Sequence, residues 1–304
     1  LTLQKGEALA DDSGMIAGRI NLNAKKFSAA TALQNFENIY DQPDVRRLEY
    51  PWQIFQWNDE MLRKDFELIT KNRRSQPLPE HVICTQPENI FIGEGATLMP
   101  CFINASAGPV YIGKNVLVME GALIRVAAAF GENTVIKMGA KIYGISAGSA
   151  CTLGGEIKNC VFQSHSNKAH DGYLGDAVIG NWCNLGAGTS NSNVKNSAGM
   201  VKMYSEAAAG YIEVGNKCGA IIGDYTCTAI NTSLNTGTVA GAVCNLFGEG
   251  LSPNYIPNFQ WGMNPPLEYR LEKAIENIRN WKKFKGAELT HEEIQVLQHI
   301  FEQL

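Results

Sequence analysis

Residues 158–193 read KNCVFQSHSNKAHDGYLGDAVIGNWCNLGAGTSNSN. The stretch joins a polar, histidine-bearing run to two aliphatic-Gly steps spaced six residues apart, Ile179-Gly180 and Leu185-Gly186. Outward from it the same step recurs at Ile92-Gly93, Ile112-Gly113, Val214-Gly215 and Ile222-Gly223. Several steps meet another aliphatic six residues on: Ile92 meets Leu98, Ile112 meets Val118 and Ile124, and Ile136 meets Ile142. A period of six is too long for alternation along one strand and does not match the 3.6 of a helix. It fits a parallel β-helix, a hexapeptide-repeat solenoid in which each hexad makes one short strand and one corner. The aliphatic stacks inward on its counterpart one coil away, and glycine serves the corner, where a positive φ or a close backbone approach is wanted. Three hexads close a triangular coil of ~18 residues, and coils stack at about 4.8 Å. Residues 82–249 then hold roughly eight or nine coils. The reading breaks the repeat at 104–109, 126–131 and 161–172, where loops must leave the coil.

The flanks differ in texture. Residues 1–48 show weak periodicity, with a helix through Ala32, Leu33, Phe36 and Ile39, and read as a connecting lobe or a remnant of an upstream domain. The chain opens on Leu1 rather than Met, which suggests a piece of something longer. Residues 49–81 form a helical linker. Asn58 or Asp59 N-caps its helix, Met61 or Leu62, Phe66 and Ile69 make the apolar face, and Trp52, Phe55 and Trp57 dock it. In 250–304, Pro253, Pro257, Pro265 and Pro266 make an extended cap and bar a further regular coil. A helix follows with Leu267, Leu271, Ala274, Ile275, Ile278 and Trp281 on one face. The pair Thr290 and Glu293 is a capping box opening a last helix with Ile294, Leu297, Ile300, Phe301 and Leu304. These helices cover an end or side of the solenoid, with a subunit contact as the rival reading.

Composition excludes several classes. Charged residues are 18% of the 304 and the net charge is −4, against a nucleic-acid binder driven by a basic surface. Local positive charge for an anionic small molecule remains open. The eight cysteines form no CxxC pair and stand beside aliphatic or glycine residues, as reduced core thiols of a cytoplasmic protein do. No apolar run approaches the ~20 residues that span a bilayer, and no secretory signal heads the chain, so no membrane partner is expected. A zinc site built on three histidines is not expected either, because the solenoid holds only His165 and His170.

His170 stands in KAHDGYLGD, just before the hexads resume. An imidazole with a pKa near 6.5 suits a general base, though an exposed or packing histidine is the bland reading. Lys158 precedes it by twelve residues, Asn184 follows by fourteen, and Asn193 ends the run. Asn184 and Asn193 also fit corner asparagines that bond the backbone, and Asp176 reads as a corner residue.

Lys158, the run His170-x-x-Tyr173-Leu174-Gly175-Asp176, the run Asn184 to Thr189, and Asn193 resemble the acetyltransferase half of bifunctional N-acetylglucosamine-1-phosphate uridyltransferase/glucosamine-1-phosphate acetyltransferases. The resemblance implies a left-handed β-helix that forms a homotrimer and uses acetyl-CoA as cosubstrate, with no metal at the acyl-transfer site. It implies His170 as the base for the sugar amine and Lys158 on the substrate phosphate. Tyr173, Asn184 and Asn193 would contact the amino sugar or acyl group. Lys137, in VIKMGAK, falls near a phosphate-binding arginine that the family carries in an Arg-Pro-Gly context, with three residues more between it and Lys158. Lysine is not interchangeable with arginine for bidentate phosphate contacts, so the acceptor is open at that point. The family's Cys-Asn-Tyr-Asp-Gly is here Ser192-Asn193-Val194-Lys195-Asn196, and no glycine-rich nucleotide loop ending in Thr-Arg-Met occurs. Lys195 or Lys202 either assists the CoA phosphates or is a solvated surface lysine.

Three readings follow. One is an acetyl-CoA-dependent N-acetyltransferase acting on an amino-sugar phosphate in sugar-nucleotide biosynthesis. The second is a sugar-1-phosphate nucleotidyltransferase relative whose nucleotidyl-transfer half lies outside these residues. The third is a non-catalytic, oligomer-forming β-helix.

Overall fold

The computed structural model describes residues 3–22, 28–41 and 45–304. The chain divides into two compact units, Leu1–Glu49 and Tyr50–Leu304. In the first, strand Glu7–Asp11 pairs antiparallel with Gly14–Arg19 and parallel with Asn38–Asp41. Arg47 grips Asp11 at 2.6 Å and holds that carboxyl down at about 2. The helix expected through Ala32 to Ile39 is a 3-10 helix over Ala29–Asn35, and Ile39 lies in the third strand. β-Branched Ile39 and aromatic Tyr40 suit that pairing better than a continued helix.

The second unit is a parallel β-solenoid of triangular section. Face 1 carries Ile83–Thr85, Phe102–Asn104, the first halves of four long strands, then Ser190–Asn191 and Ser233–Leu234. The long strands are Leu123–Phe130, Lys141–Ala147, Glu156–Phe162 and Tyr173–Ile179. Their second halves lie on face 2 with Ile90–Ile92, Val110–Ile112, Ala220–Ile222, Thr238–Ala240 and Tyr255–Ile256. Face 3 stacks nine two-residue strands, from Thr97–Leu98 to Gln260–Trp261. Inward residues form columns as the hexads require: Val118, Ile136, Leu153, Leu185 and Leu246 are buried in face 3. Each long strand turns from face 1 to face 2 through one left-handed residue, Val126, Gly144, Asn159 or Asp176.

Of the three expected breaks one is present: five residues separate Asn104 from Val110 where Val126 and Ala127 suffice in the next coil. Residues 126–130 belong to a long strand, and 161–172 stays in the coil through the strand Asn167–Lys168. Its inward positions are filled by Ser166 and Lys168 instead of aliphatics, which hides the period. Ser166 is tolerated there because its hydroxyl donates to Gly180 O at 2.6 Å and accepts from Cys183 N at 2.9 Å. The excursion falls between Asn191 and Ala220 and holds the hairpin Val201–Ser205 with Gly210–Gly215. Val214-Gly215 is therefore part of that hairpin and not a hexad. Past Glu249, Tyr255–Ile256 and Gln260–Trp261 continue the parallel ladders, so Pro253 and Pro257 punctuate a further turn rather than ending the stack.

Two faces are covered by the unit's own elements. Helices α1 (Gln53–Gln56) and α2 (Asn58–Thr70) and the hairpin lie on face 2, where Trp52, Phe55, Val201 and Met203 pack on Val178 and Ile221. Among the described residues no side chain caps α2. Asn58 is spent on the solenoid instead, donating to Gly144 O at 3.0 Å and accepting from Ser146 Oγ at 2.6 Å. Helices α3 (Leu271–Phe284) and α4 (His291–Phe301) cover face 3 and the corner leading into it, with Ala274, Ile278 and Leu297 against Val243 and Phe259. The capping box at Thr290 and Glu293 is formed. Leu267 lies in a short strand before α3 and is exposed. All eight cysteines are free, six of them buried. Among the described residues no helix is long and apolar enough to cross a membrane.

Candidate active site

The corners between face 3 and face 1 differ in length. Lys137 to Ala140 is a four-residue corner, Gly154-Gly155 has only two residues, and Ala169 to Gly172 has four again. The glycine pair is sterically required. A Cβ on Gly154 would lie 2.4 Å from Ala169 O, and one on Gly155, at φ +71, would lie 2.8 Å from His170 O. The two-residue corner thus lets the His170 corner close down on the coil beneath it. His170 is exposed there, and among the described residues its ring makes no hydrogen bond. The imidazole does not sit on a loop leaving the coil.

Three residues beyond His170 the chain enters face 1 at Tyr173, which stacks on Glu156 while Gly175 stacks on Lys158. Tyr173 is half-buried. Burial first, then the Asp176 carboxylate, pushes its phenol up to about 12. Asn193 Nδ2 lies 3.1 Å from Tyr173 Oη and 2.6 Å from Asp176 Oδ2. Asn159 Nδ2 donates to the other oxygen, Asp176 Oδ1, at 2.7 Å. Asp176 is therefore a buried carboxylate held by two amides at the bend of its strand. That is more than a corner residue, and its Asn193 bond brings Asn193 and Tyr173 together.

Lys158 is exposed one coil below, its Nζ 5.8 Å from the Tyr143 ring centroid. Tyr143 donates to Glu156 Oε1, and burial followed by that bond raises its phenol far above the ordinary range. Arg125, Tyr143 and Lys158 form one outward column of face 1, and Lys141, Glu156 and Tyr173 the next. Sequence reasoning missed Asp176, Asn159, Tyr143 and Glu156 as members of the group. The signal available was the coil offset, since residues one rung apart on a face are neighbours.

The structure does not bring all the expected residues together. Lys137 lies half-buried in the four-residue corner below Gly154. Asn184 stands on face 3, accepting from Asn167 Nδ2 at 3.2 Å. It lines a cavity of about 310 Å³ beneath α3, with Cys227, Asn245, Tyr269, Asn277 and Trp281. It is thus separated by a corner from Tyr173 and Asn193. Lys195 spends its ammonium on Met200 O at 2.6 Å, and Lys202 pairs with Glu213 at 3.5 Å.

Residues 1–74 match the family model described as sugar nucleotidyl transferase. Among curated proteins, the chain is similar to the bifunctional protein GlmU of Rippkaea orientalis, 34% identical over 108 residues, and to that of Trichodesmium erythraeum, 40% identical over 86 residues. Those matches take in 34% and 27% of this chain but only 22% and 18% of the relatives' lengths. The acetyltransferase domain of PglB from Neisseria gonorrhoeae aligns with 79% of this chain and 90% of its own at 12% identity, with a TM-score of 0.18, too low to carry any argument.

Proposed function

We propose that the solenoid is an acetyl-CoA-dependent N-acetyltransferase whose acceptor is an amino-sugar phosphate resembling glucosamine-1-phosphate, serving sugar-nucleotide biosynthesis. The observation that carries the reading is the exposed His170 on a corner that leads directly into the Tyr173–Asn193–Asp176 network above Lys158. In the reaction the neutral imidazole takes a proton from the sugar amine as the nitrogen lone pair attacks the thioester carbon. The C–S bond then breaks, and the imidazolium returns the proton to the departing thiolate. Asn193 directs its Nδ2 inward to Asp176 and Tyr173, which leaves Oδ1 to accept from the amine and orient its lone pair. Lys158 holds the phosphate by charge, and Lys137 assists from the lower corner. Asn184 is assigned no contact with the same ligand within one copy of the chain.

The test is CoA release from acetyl-CoA and glucosamine-1-phosphate. Turnover is expected, with a loss of roughly 10²–10⁴-fold in His170→Ala, the usual scale for a general base. Absence of turnover with every amino-sugar phosphate tried would remove this reading.

The match over residues 1–74 favours a second reading, nucleotidyl transfer to a sugar phosphate. Pyrophosphate release from UTP and N-acetylglucosamine-1-phosphate is its assay.

A further inference from the structure

Lys168 occupies an inward position of face 3, directly above Leu153 in the apolar column, and is completely buried. A lysine in such a column is costly unless its ammonium or amine finds acceptors. Here Nζ curls back to its own corner, donating to His170 O and, at 3.1 Å, to Asp171 O. Three other four-residue corners close on their own backbone: Ala122 N donates to Met119 O at 3.4 Å, Ala140 N to Lys137 O at 3.2 Å two coils below, and Thr189 N to Gly186 O at 3.0 Å in the coil above, while at Ala229–Thr232 the Thr232 hydroxyl donates to Ala229 O at 2.8 Å. Among the described residues no backbone bond joins Gly172 N to Ala169 O. The corner that carries His170 is thus tied by Lys168 from the core, together with Gly188 N of the coil above, which donates to Asp171 O at 2.9 Å.

We infer that Lys168 is a positioning residue for His170. From inside the coil it binds the carbonyls of His170 and Asp171 and sets the direction in which the imidazole leaves the backbone. The inference rests on the acetyl-transfer reading for its catalytic consequence, although the corner geometry stands without it. The anchored arrangement explains how an exposed histidine with no ring partner is aimed: its backbone is fixed at the carbonyl while the ring stays free to take and return a proton.

The variant to make is Lys168→Met, which keeps a long unbranched chain in the column and removes the donor. Three measurements separate the outcomes. In CoA-release kinetics, kcat should fall about tenfold or more while KM stays within about twofold, since the loss falls on aiming the base rather than on ground-state binding. In a double-mutant cycle, Lys168→Met should cost little further once His170 is already Ala, because two residues acting as one unit are not additive. Amide hydrogen exchange of Gly188 and Glu156, whose N–H groups donate to Asp171 O and Gly172 O, should accelerate about tenfold or more in Lys168→Met while the ladders on either side stay protected. Equal kcat losses with and without His170 would overturn the inference, as would unchanged exchange of those two amides. If the wild type shows no transfer, the enzymatic reading fails, and the exchange result alone decides whether Lys168 holds the corner.

Discussion

Asp176 shows what a single residue contributes at the bend of a coil. Its left-handed φ of 50° is tolerated better by Asp than by most side chains, and its carboxylate then satisfies Asn159 and Asn193. Asp176→Ala is expected to leave both amides short of an acceptor and to lower stability by about 1–3 kcal/mol in urea unfolding. Asp176→Asn, which keeps one acceptor oxygen, should lose less. Lys168 adds a pH signature. Burial lowers its ammonium to about 8, so between pH 8 and its ordinary 10.5 the folded chain holds fewer protons than the unfolded one. Stability must then rise with pH across that window, an effect on the order of a few kcal/mol at most. The neighbouring Asp171 opposes the shift. Thermal melts of wild type against Lys168→Met should diverge from pH 8 to 10, and parallel curves would show that the amine does not titrate there. Neither residue was legible as part of a site. Lys168 breaks the hexad because its role is polar and internal, and the same substitution of lysine for an aliphatic made 161–172 read as a loop.

At the scale of elements, the pairing of α3 and α4 was legible from amphipathic spacing and the Thr290 capping box, but what fastens them was not. Lys282 of α3 is buried and pairs with Glu293, which also accepts from Tyr225 of the solenoid. Lys282 Nζ lies 5.0 Å from the Trp182 ring centroid, and that ring stacks on His165 at 4.2 Å. Just past the helix, Lys285 donates to His165 O at 2.6 Å and Asn167 Oδ1 at 2.9 Å. A charged residue inside an amphipathic pattern reads as a solvated flank, since sequence spacing does not reveal a partner 11 residues away in another helix. Glu293→Ala leaves Lys282 buried without its counter-charge. With Glu293 itself partly exposed, the expected loss is roughly 2–3 kcal/mol, below the value for a fully buried pair. Protection of α3 and α4 in hydrogen exchange should fall while the ladders of face 2 stay protected, because the damage is confined to the helical cover.

Across the solenoid as a whole, the three faces are unequal. The hexads made the triangular stack readable, and the departures of Ser192–Gly219 and the helices, which have no period of six, decide which faces are covered. Among the described residues of 50–304, no helix or hairpin packs on face 1. It presents Ile83, Phe102 and Leu123 at 62%, 47% and 43% exposure, beside Arg125, Lys141 and Lys158. Contiguous apolar surface of this kind marks a contact, and its polar end is the candidate active site. We propose that face 1 is where copies of the chain meet in a homotrimer, closing each site against a neighbour. Light scattering should then give three times the 33.2 kDa chain mass. The double variant Phe102→Glu with Leu123→Glu should reduce it to single chains. Neither residue touches the Tyr173–Asn193–Asp176 network, so a variant that is folded by circular dichroism but has lost acetyl transfer would tie catalysis to assembly. A wild-type protein that scatters as a single chain would instead leave the apolar stripe of face 1 for a different partner and confine the active site to one prism.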